Sequence, residues 1–298
     1  YLKNFIYNIL IMSTDSKIIF KKKQSKLKEF LSHRKAAKGE PYTHTSLYDK
    51  KKGLGWAGCF NIPEKDRAEF FNLYYKSVFV EHDHFHLTEK HQNIGPLLYD
   101  IDLRFLKVNN QSRIYDQNFV IKLLEKIYQE IDKYLNISKE LYQQAFIFEK
   151  TQPYEFNETT MKDGIHIMFP YVNTCPELQY VIRNNLLKTC QEVIDTIQIT
   201  NPIDDVIDES IIFRNCWQLY GSFKPGNEPY KLTYLYNQQD DQIQPISIDT
   251  SFYTNEYLVK LLSIRNRNIF TELTDEGTSV IETYEREHIK KSKTINVK

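Results

Sequence analysis

The stretch Leu97-Leu98-Tyr99-Asp100-Ile101-Asp102-Leu103 sets two carboxylates two positions apart inside an apolar run. A run of this kind reads as a buried β-strand, and side chains at i and i+2 of a strand leave the same face. Asp100 and Asp102 are thereby aimed to one side. Desolvation and mutual repulsion both oppose burying two like charges together, so a divalent cation between them is the first expectation. Taken alone, such a pair also fits a solvent-facing strand end. The flanking Gly95-Pro96 and Leu103-Arg104-Phe105 favour the buried strand.

A chain of 298 residues with 41% hydrophobic content can bury one large core or two small ones, which excludes a disordered protein. Its 39 basic and 39 acidic residues cancel, so affinity for a polyanion has to come from a local patch. Cys59, Cys175, Cys190 and Cys216 are scattered without zinc spacing and read as reduced thiols of an intracellular protein. Leu2–Met12 is apolar but short and interrupted by Lys3, Asn4 and Asn8, which fits neither a membrane span nor a secretory signal. Met12 reads as a natural start, leaving residues before it as an upstream extension.

Between residues 17 and 38 nine basic residues accompany Leu27, Phe30 and Leu31 at helical spacing, which fits a solvated helix face as well as a nucleic-acid contact. A helix is expected within Phe60–Val80. Another, capped by Asp116, should run to about Leu135 on a stripe of Phe119, Leu123, Ile127, Ile131 and Tyr134. Ala145–Glu149, Ile165–Val172, Val206–Phe213 and Lys231–Tyr236 read as strands. Thr174, Pro176 and Glu177 supply a cap, a first-turn proline and a capping-box partner for a helix reaching about Ile197. The tail from Thr271 lacks a clear apolar period and reads as a linker or fraying terminus. The mixture argues an α+β fold.

Two further segments carry chemistry. In Lys162-Asp163-Gly164-Ile165-His166 an extended backbone puts Lys162, Gly164 and His166 on one face, a ridge suited to a triphosphate: two donors flank a glycine that permits close approach. His166 alone also fits an ordinary strand histidine. In Asp204-Asp205-Val206-Ile207-Asp208, Asp208 follows an apolar pair and is the choice for a third metal ligand, whereas Asp204 and Asp205 fit a cap or turn. Farther on, Gly221-Ser222 makes a turn from which Lys224 can reach phosphate.

The order of these segments resembles the archaeo-eukaryotic primase superfamily. More narrowly, it resembles the amino-terminal primase-polymerase domain of the primase–helicases of nucleocytoplasmic large DNA viruses, including the African swine fever virus type. The residues that carry the resemblance are Gly95 through Arg104, Gly164-Ile165-His166, and Asp208 through Tyr220-Gly221-Ser222-Phe223-Lys224-Pro225-Gly226. It implies an RRM-like catalytic sheet with flanking helices, Asp100, Asp102 and Asp208 as catalytic ligands of Mg²⁺ or Mn²⁺, and nucleotide binding by Lys162, Gly164, His166, Ser222 and Lys224. It departs from the eukaryotic members at Asn215 and Gln218, where those carry arginines, so Arg214 is a candidate substitute. The implied organisation is an extension at 1–16, a primase-polymerase domain at 17–270, and a linker or tail at 271–298 leading toward a helicase module.

The expected partners are therefore single-stranded DNA template, nucleoside triphosphates and a helicase, with no membrane, in the viral replication compartment of the host cytoplasm or in the virion. Two alternatives stand beside this. His84-Phe85-His86 with Tyr257 has the form of a rolling-circle replication nuclease, in which histidines hold a metal and tyrosine attacks DNA. The other is a primase-like module that binds nucleic acid without catalysis.

Overall fold

A computed structural model describes residues 25–107, 112–137, 143–239, 242–267 and 270–295. The extension expected at 1–16 and Lys17 to Lys23 of the basic segment lie outside the described residues. From the amino end, α1 (Lys26–Ser32) buries Leu27, Phe30 and Leu31. The hairpin β1 (His44–Asp49) and β2 (Leu54–Phe60) precedes α2 (Arg67–Tyr75), which widens into a π-turn at Lys76–Val80. Then come β3 (Leu87–Glu89), β4 (Gly95–Leu106), α3 (Gln117–Tyr134), β5 (Ala145–Glu149), β6 (Tyr154–Glu155) and β7 (Thr160–Thr174). Three helices, α4 (Pro176–Thr189), α5 (Gln191–Ile194) and α6 (Ile203–Val206), return the chain to the sheet. β8 (Trp217–Gln218), β9 (Lys231–Gln239), β10 (Gln242–Ile246), α7 (Asn255–Leu261) and α8 (Asp275–Ile295) follow.

The strands form two sheets. The larger has the order β10-β9-β5-β7-β4, with β6 paired to β7, and the smaller has the order β2-β1-β3-β8. Antiparallel pairing of β4 with β7 sets Asp100 opposite His166, Asp102 opposite Gly164 and Arg104 opposite Lys162. Strand alternation then sorts the side chains. Odd positions Leu97, Tyr99, Ile101 and Leu103 of β4 and Ile165, Ile167 and Phe169 of β7 join the main core under α3 and α4. Even positions Leu98 and Met168 start the opposite face in a second core closed by Trp217 and by Leu258 and Leu261 of α7. Farther along that face, apolar cover gives way to Asp100, His166, Asp102 and Lys162. Burial of the odd face, worth roughly 1.5–3 kcal/mol per large side chain, offsets a polar cluster on the even one.

Local signals explain much of this. Asp116 accepts from the Phe119 N–H at 2.9 Å and caps α3, whose stripe is buried as its spacing indicates. β7 is longer than the expected Ile165–Val172, and its pairing with β4 shifts between Pro96 and Leu97, where Pro170 offers no N–H to the ladder. Among the described residues the cysteines are free thiols.

Four expectations are corrected. Thr174 pairs in β7, and Cys175 takes the cap position of α4 without a side-chain bond. α4 stops at Thr189, because the chain turns at buried Cys190 to bring Val193 and Ile194 into the core. Val206–Phe213 is not a strand: Pro202 starts the short α6, Ile207 makes a single bridge to Ile101, and Asp208 caps a 3₁₀ turn at Glu209–Ile211. The tail forms α8, whose Val280 and Ile281 pack against the main core. A Cβ at Gly277 would lie 2.2 Å from the Tyr134 carbonyl oxygen, so only glycine lets α8 approach α3 this closely.

Candidate active site

The larger sheet presents Asp100 and Asp102 on one face of β4 and Lys162, Gly164 and His166 on the same face of β7. Asp208 arrives from outside the sheet. Its N–H donates to the Asp100 carbonyl oxygen at 3.1 Å, which fixes the third acid against the free edge of β4. A cavity of about 390 Å³ is lined by Asp100, His166, Asp208, Arg214, Gln218 and Lys224 among others. Asp102 is the next acid along the same face.

The contacts within this cluster are specific. Lys162 Nζ donates to Asp102 Oδ2 at 2.7 Å. Asp208 accepts from the Ser210 N–H and hydroxyl, both at 2.8 Å. Asp100 Oδ1 is buried and accepts no hydrogen bond, with His166 Nε2 3.5 Å away. Among the described residues no three His, Cys, Asp or Glu side chains form a ready metal-holding group. The three acids thus share a neighbourhood while two of them are held by protein donors.

Burial pushes the Asp100 carboxyl up, against the pull of Lys224 and Lys162 and with added repulsion from Asp208. Asp102 is pushed up by burial and then by Asp100, with Lys162 opposing. His166 is lowered to about 3, first by burial and then by the Lys224 charge, so its imidazole is neutral at physiological pH. Burial disfavours the Lys162 charge, but the Asp102 carboxylate outweighs it and raises the ammonium's pKa.

The His166 ring is 13% exposed and sits between two aromatics, stacked on Tyr230 at 3.6 Å and 4.7 Å from Trp217. Tyr230 also changes the reading of Gly164. A Cβ there would lie 2.7 Å from the Tyr230 hydroxyl, so the space left by the glycine is taken by tyrosine rather than kept for phosphate. Ser222 is not brought to the cluster as a donor. Its hydroxyl is 2.8 Å from the Tyr74 hydroxyl and accepts from the Leu87 N–H at 3.1 Å, inside the smaller sheet's core. With the Gln218 amide oriented oxygen toward the loop, it accepts from the Lys224 N–H at 2.8 Å and steadies that lysine's backbone.

The histidines and tyrosine of the nuclease alternative are engaged elsewhere. His86 Nδ1 is 2.7 Å from the Phe223 carbonyl oxygen, His84 lies edge-on to the Phe223 ring, and the Tyr257 hydroxyl meets Tyr171 at 3.3 Å.

Sequence reasoning missed Tyr230 and Lys150. Lys150 directly follows β5, all five residues of which are buried, and a lysine abutting such a strand was the available signal. Tyr230 lies just before β9 in a stretch with no periodicity to mark it. Beneath the site, Arg113 joins Glu149 at 2.6 Å, Asp163 at 2.9 Å and the Lys150 carbonyl oxygen at 2.7 Å.

The residues that hold these paired sheet-face acids, the third acid from an adjoining loop and the strand histidine lie within a segment that matches a known family. The family model described as "C962R protein N-terminal AEP domain" matches residues 43–236, and the chain belongs to that archaeo-eukaryotic primase family. It is also 32% identical over 213 residues to the protein named Putative helicase L207/L206 of Acanthamoeba polyphaga mimivirus. That match takes in 69% of this chain but only 21% of the mimivirus protein. The α+β architecture agrees with the primase-type fold, and among the described residues no helix is long and apolar enough to cross a membrane.

Proposed function

We propose that this chain is a template-directed nucleotidyltransferase, a DNA primase-polymerase that joins nucleotides on single-stranded DNA. The observation that carries the reading is Asp100: a buried carboxylate oxygen without a hydrogen-bond donor, tied through its backbone to Asp208 and facing the same cavity as Lys224. An orphaned oxygen among all-oxygen donors fits Mg²⁺ or Mn²⁺, held by Asp100, Asp102 and Asp208. Bound there, such ions would align the attacking 3′-oxygen with the triphosphate and neutralise charge on the departing pyrophosphate.

The chain's own residues supply binding and orientation. Lys224 offers an ammonium to phosphate oxygens, and Lys162 trades Asp102 for phosphate when substrate arrives. Neutral His166 contributes a ring nitrogen whose direction is fixed by Tyr230 and Trp217, at no cost in added positive charge. The setting proposed is viral DNA replication in the host cytoplasm, with a helicase in the same polypeptide or as a partner. The name and greater length of the mimivirus relative support that association.

The test is primer synthesis on unprimed single-stranded DNA with Mg²⁺ or Mn²⁺, comparing wild type with Asp100→Ala plus Asp102→Ala. Template-dependent product from wild type alone supports the reading. A second reading, a binding module without catalysis, is favoured by the engagement of Asp102 with Lys162 and of Asp208 with Ser210. It wins if both proteins bind single-stranded DNA and are equally inert.

A further inference from the structure

We propose that Lys150 is a third phosphate-binding lysine of this site, beside Lys162 and Lys224, and takes a phosphate of the incoming nucleoside triphosphate. The inference rests on the nucleotidyltransferase reading and adds to it a contact for the substrate.

Lys150 is only 7% exposed, yet it forms no ion pair with a carboxylate among the described residues. Its ammonium rests on aromatic faces, 3.9 Å from the Tyr154 ring centroid and 5.2 Å from that of Tyr230. Ring faces attract a cation, but more weakly than an anion in a site from which water is excluded. The neighbouring charges make the deficit worse. Burial, then Lys224 and Lys162, lower the Lys150 ammonium to about 8, and Asp100 and Asp102 only partly compensate. A buried cation crowded by two others, with its head left on rings, is a group waiting for an anion.

Geometry ties the lysine to the site. Tyr230 stacks on His166 and also carries the Lys150 ammonium, so one ring joins the histidine beside Asp100 to this lysine. Lys150 also lines a separate cavity of about 360 Å³ with Lys52 of the β1–β2 turn, Tyr154 and Gly226. The lysine's backbone is held by the Arg113 donation to its carbonyl oxygen, itself anchored on Glu149 and Asp163.

The experiment is calorimetric titration of the full chain with inorganic tripolyphosphate in metal-free buffer, for wild type, Lys150→Met, Lys150→Arg and Lys224→Met, with thermal midpoints recorded alongside. One charge-assisted contact corresponds to a loss of about tenfold or more in affinity. The expected result is that loss in Lys150→Met, recovery in Lys150→Arg, and a wild-type melting point in both. In primer extension, Lys150→Met should raise the KM for dATP while leaving kcat within a few-fold. If Lys224→Met weakens binding and Lys150→Met does not, the role of Lys150 is overturned and the catalytic reading stands. If Lys150→Met weakens binding only with a lowered melting point that arginine fails to restore, the lysine is structural and the inference falls. Absence of tripolyphosphate binding by wild type overturns the inference, while the catalytic reading is decided separately by primer synthesis with Mg²⁺ or Mn²⁺.

Discussion

Replacing Arg113 by methionine removes a guanidinium that serves two buried acids. Asp163 is 0% and Glu149 3% exposed, and Arg113 reaches them at 2.9 and 2.6 Å. Stripping one partner from a buried pair costs about 3–5 kcal/mol, since the remaining charge has no solvent to return to. Arg113 itself is 24% exposed, and water at its outer edge moves the expectation to the lower end of that range. In a protein of this size the loss corresponds to a melting point lower by roughly 5–15 °C. The pH dependence is more diagnostic. Burial already raises the Asp163 carboxyl, with Arg113 as the main opposing influence. Without the arginine its folded-state pKa rises further above the unfolded value, so the folded form binds more protons and gains stability as pH falls. Urea unfolding at about pH 8 and about pH 5 should show the deficit relative to wild type shrinking at the lower pH. A deficit below about 1 kcal/mol, or one of equal size at both pH values, refutes the argument.

Asp100→Asn should fold normally, because burial already disfavours the charged form, while nucleotide incorporation drops by more than about a hundredfold; unchanged incorporation would remove Asp100 from the chemistry. Ser222→Ala should cost about 1–3 kcal/mol of stability by stranding the Leu87 N–H, leaving the KM for nucleotide as it was; a raised KM with unchanged melting would return Ser222 to the site. Tyr257→Phe should leave synthesis intact and wild type should form no covalent tyrosine–DNA adduct, which electrophoresis after denaturation detects. Tripolyphosphate affinity should decline as pH rises through about 8, where Lys150 loses its proton, and the decline should vanish in Lys150→Arg; an identical profile in both proteins contradicts this.

How much was legible in the sequence follows from how local each signal is. The Asp100-x-Asp102 face, the Asp116 cap and Ala145–Glu149 are set by alternation and capping within a few residues, and the structure reproduces those elements. The smaller sheet escaped notice, because β3 and β8 have three and two residues and exist only through pairing with distant strands. Val206–Phe213 misled because an apolar run beside an edge strand can pair at one residue, Ile207, and still be mostly helical turn. The partners of the site residues were the least legible. Nothing near Gly164 in the chain announces that Tyr230 fills its space, and nothing near Ser222 announces that Tyr74 and Leu87 claim its hydroxyl.

The placement of Asp208 has a consequence for assembly. Two acids belong to a strand locked by a long ladder, whereas the third is held at the ladder's outer rim by an isolated bridge, its own amide, the Arg183 donations to the Ile207 and Asp204 carbonyl oxygens and the burial of Val206 and Ile207. Release of the 203–211 segment would leave the β4–β7 ladder paired while carrying the Asp208 carboxylate away from Asp100. Exchange of the Asp208 amide with solvent deuterium should therefore outpace that of the β4–β7 amides, reporting how often the centre stands dismantled while the body of the protein stays intact.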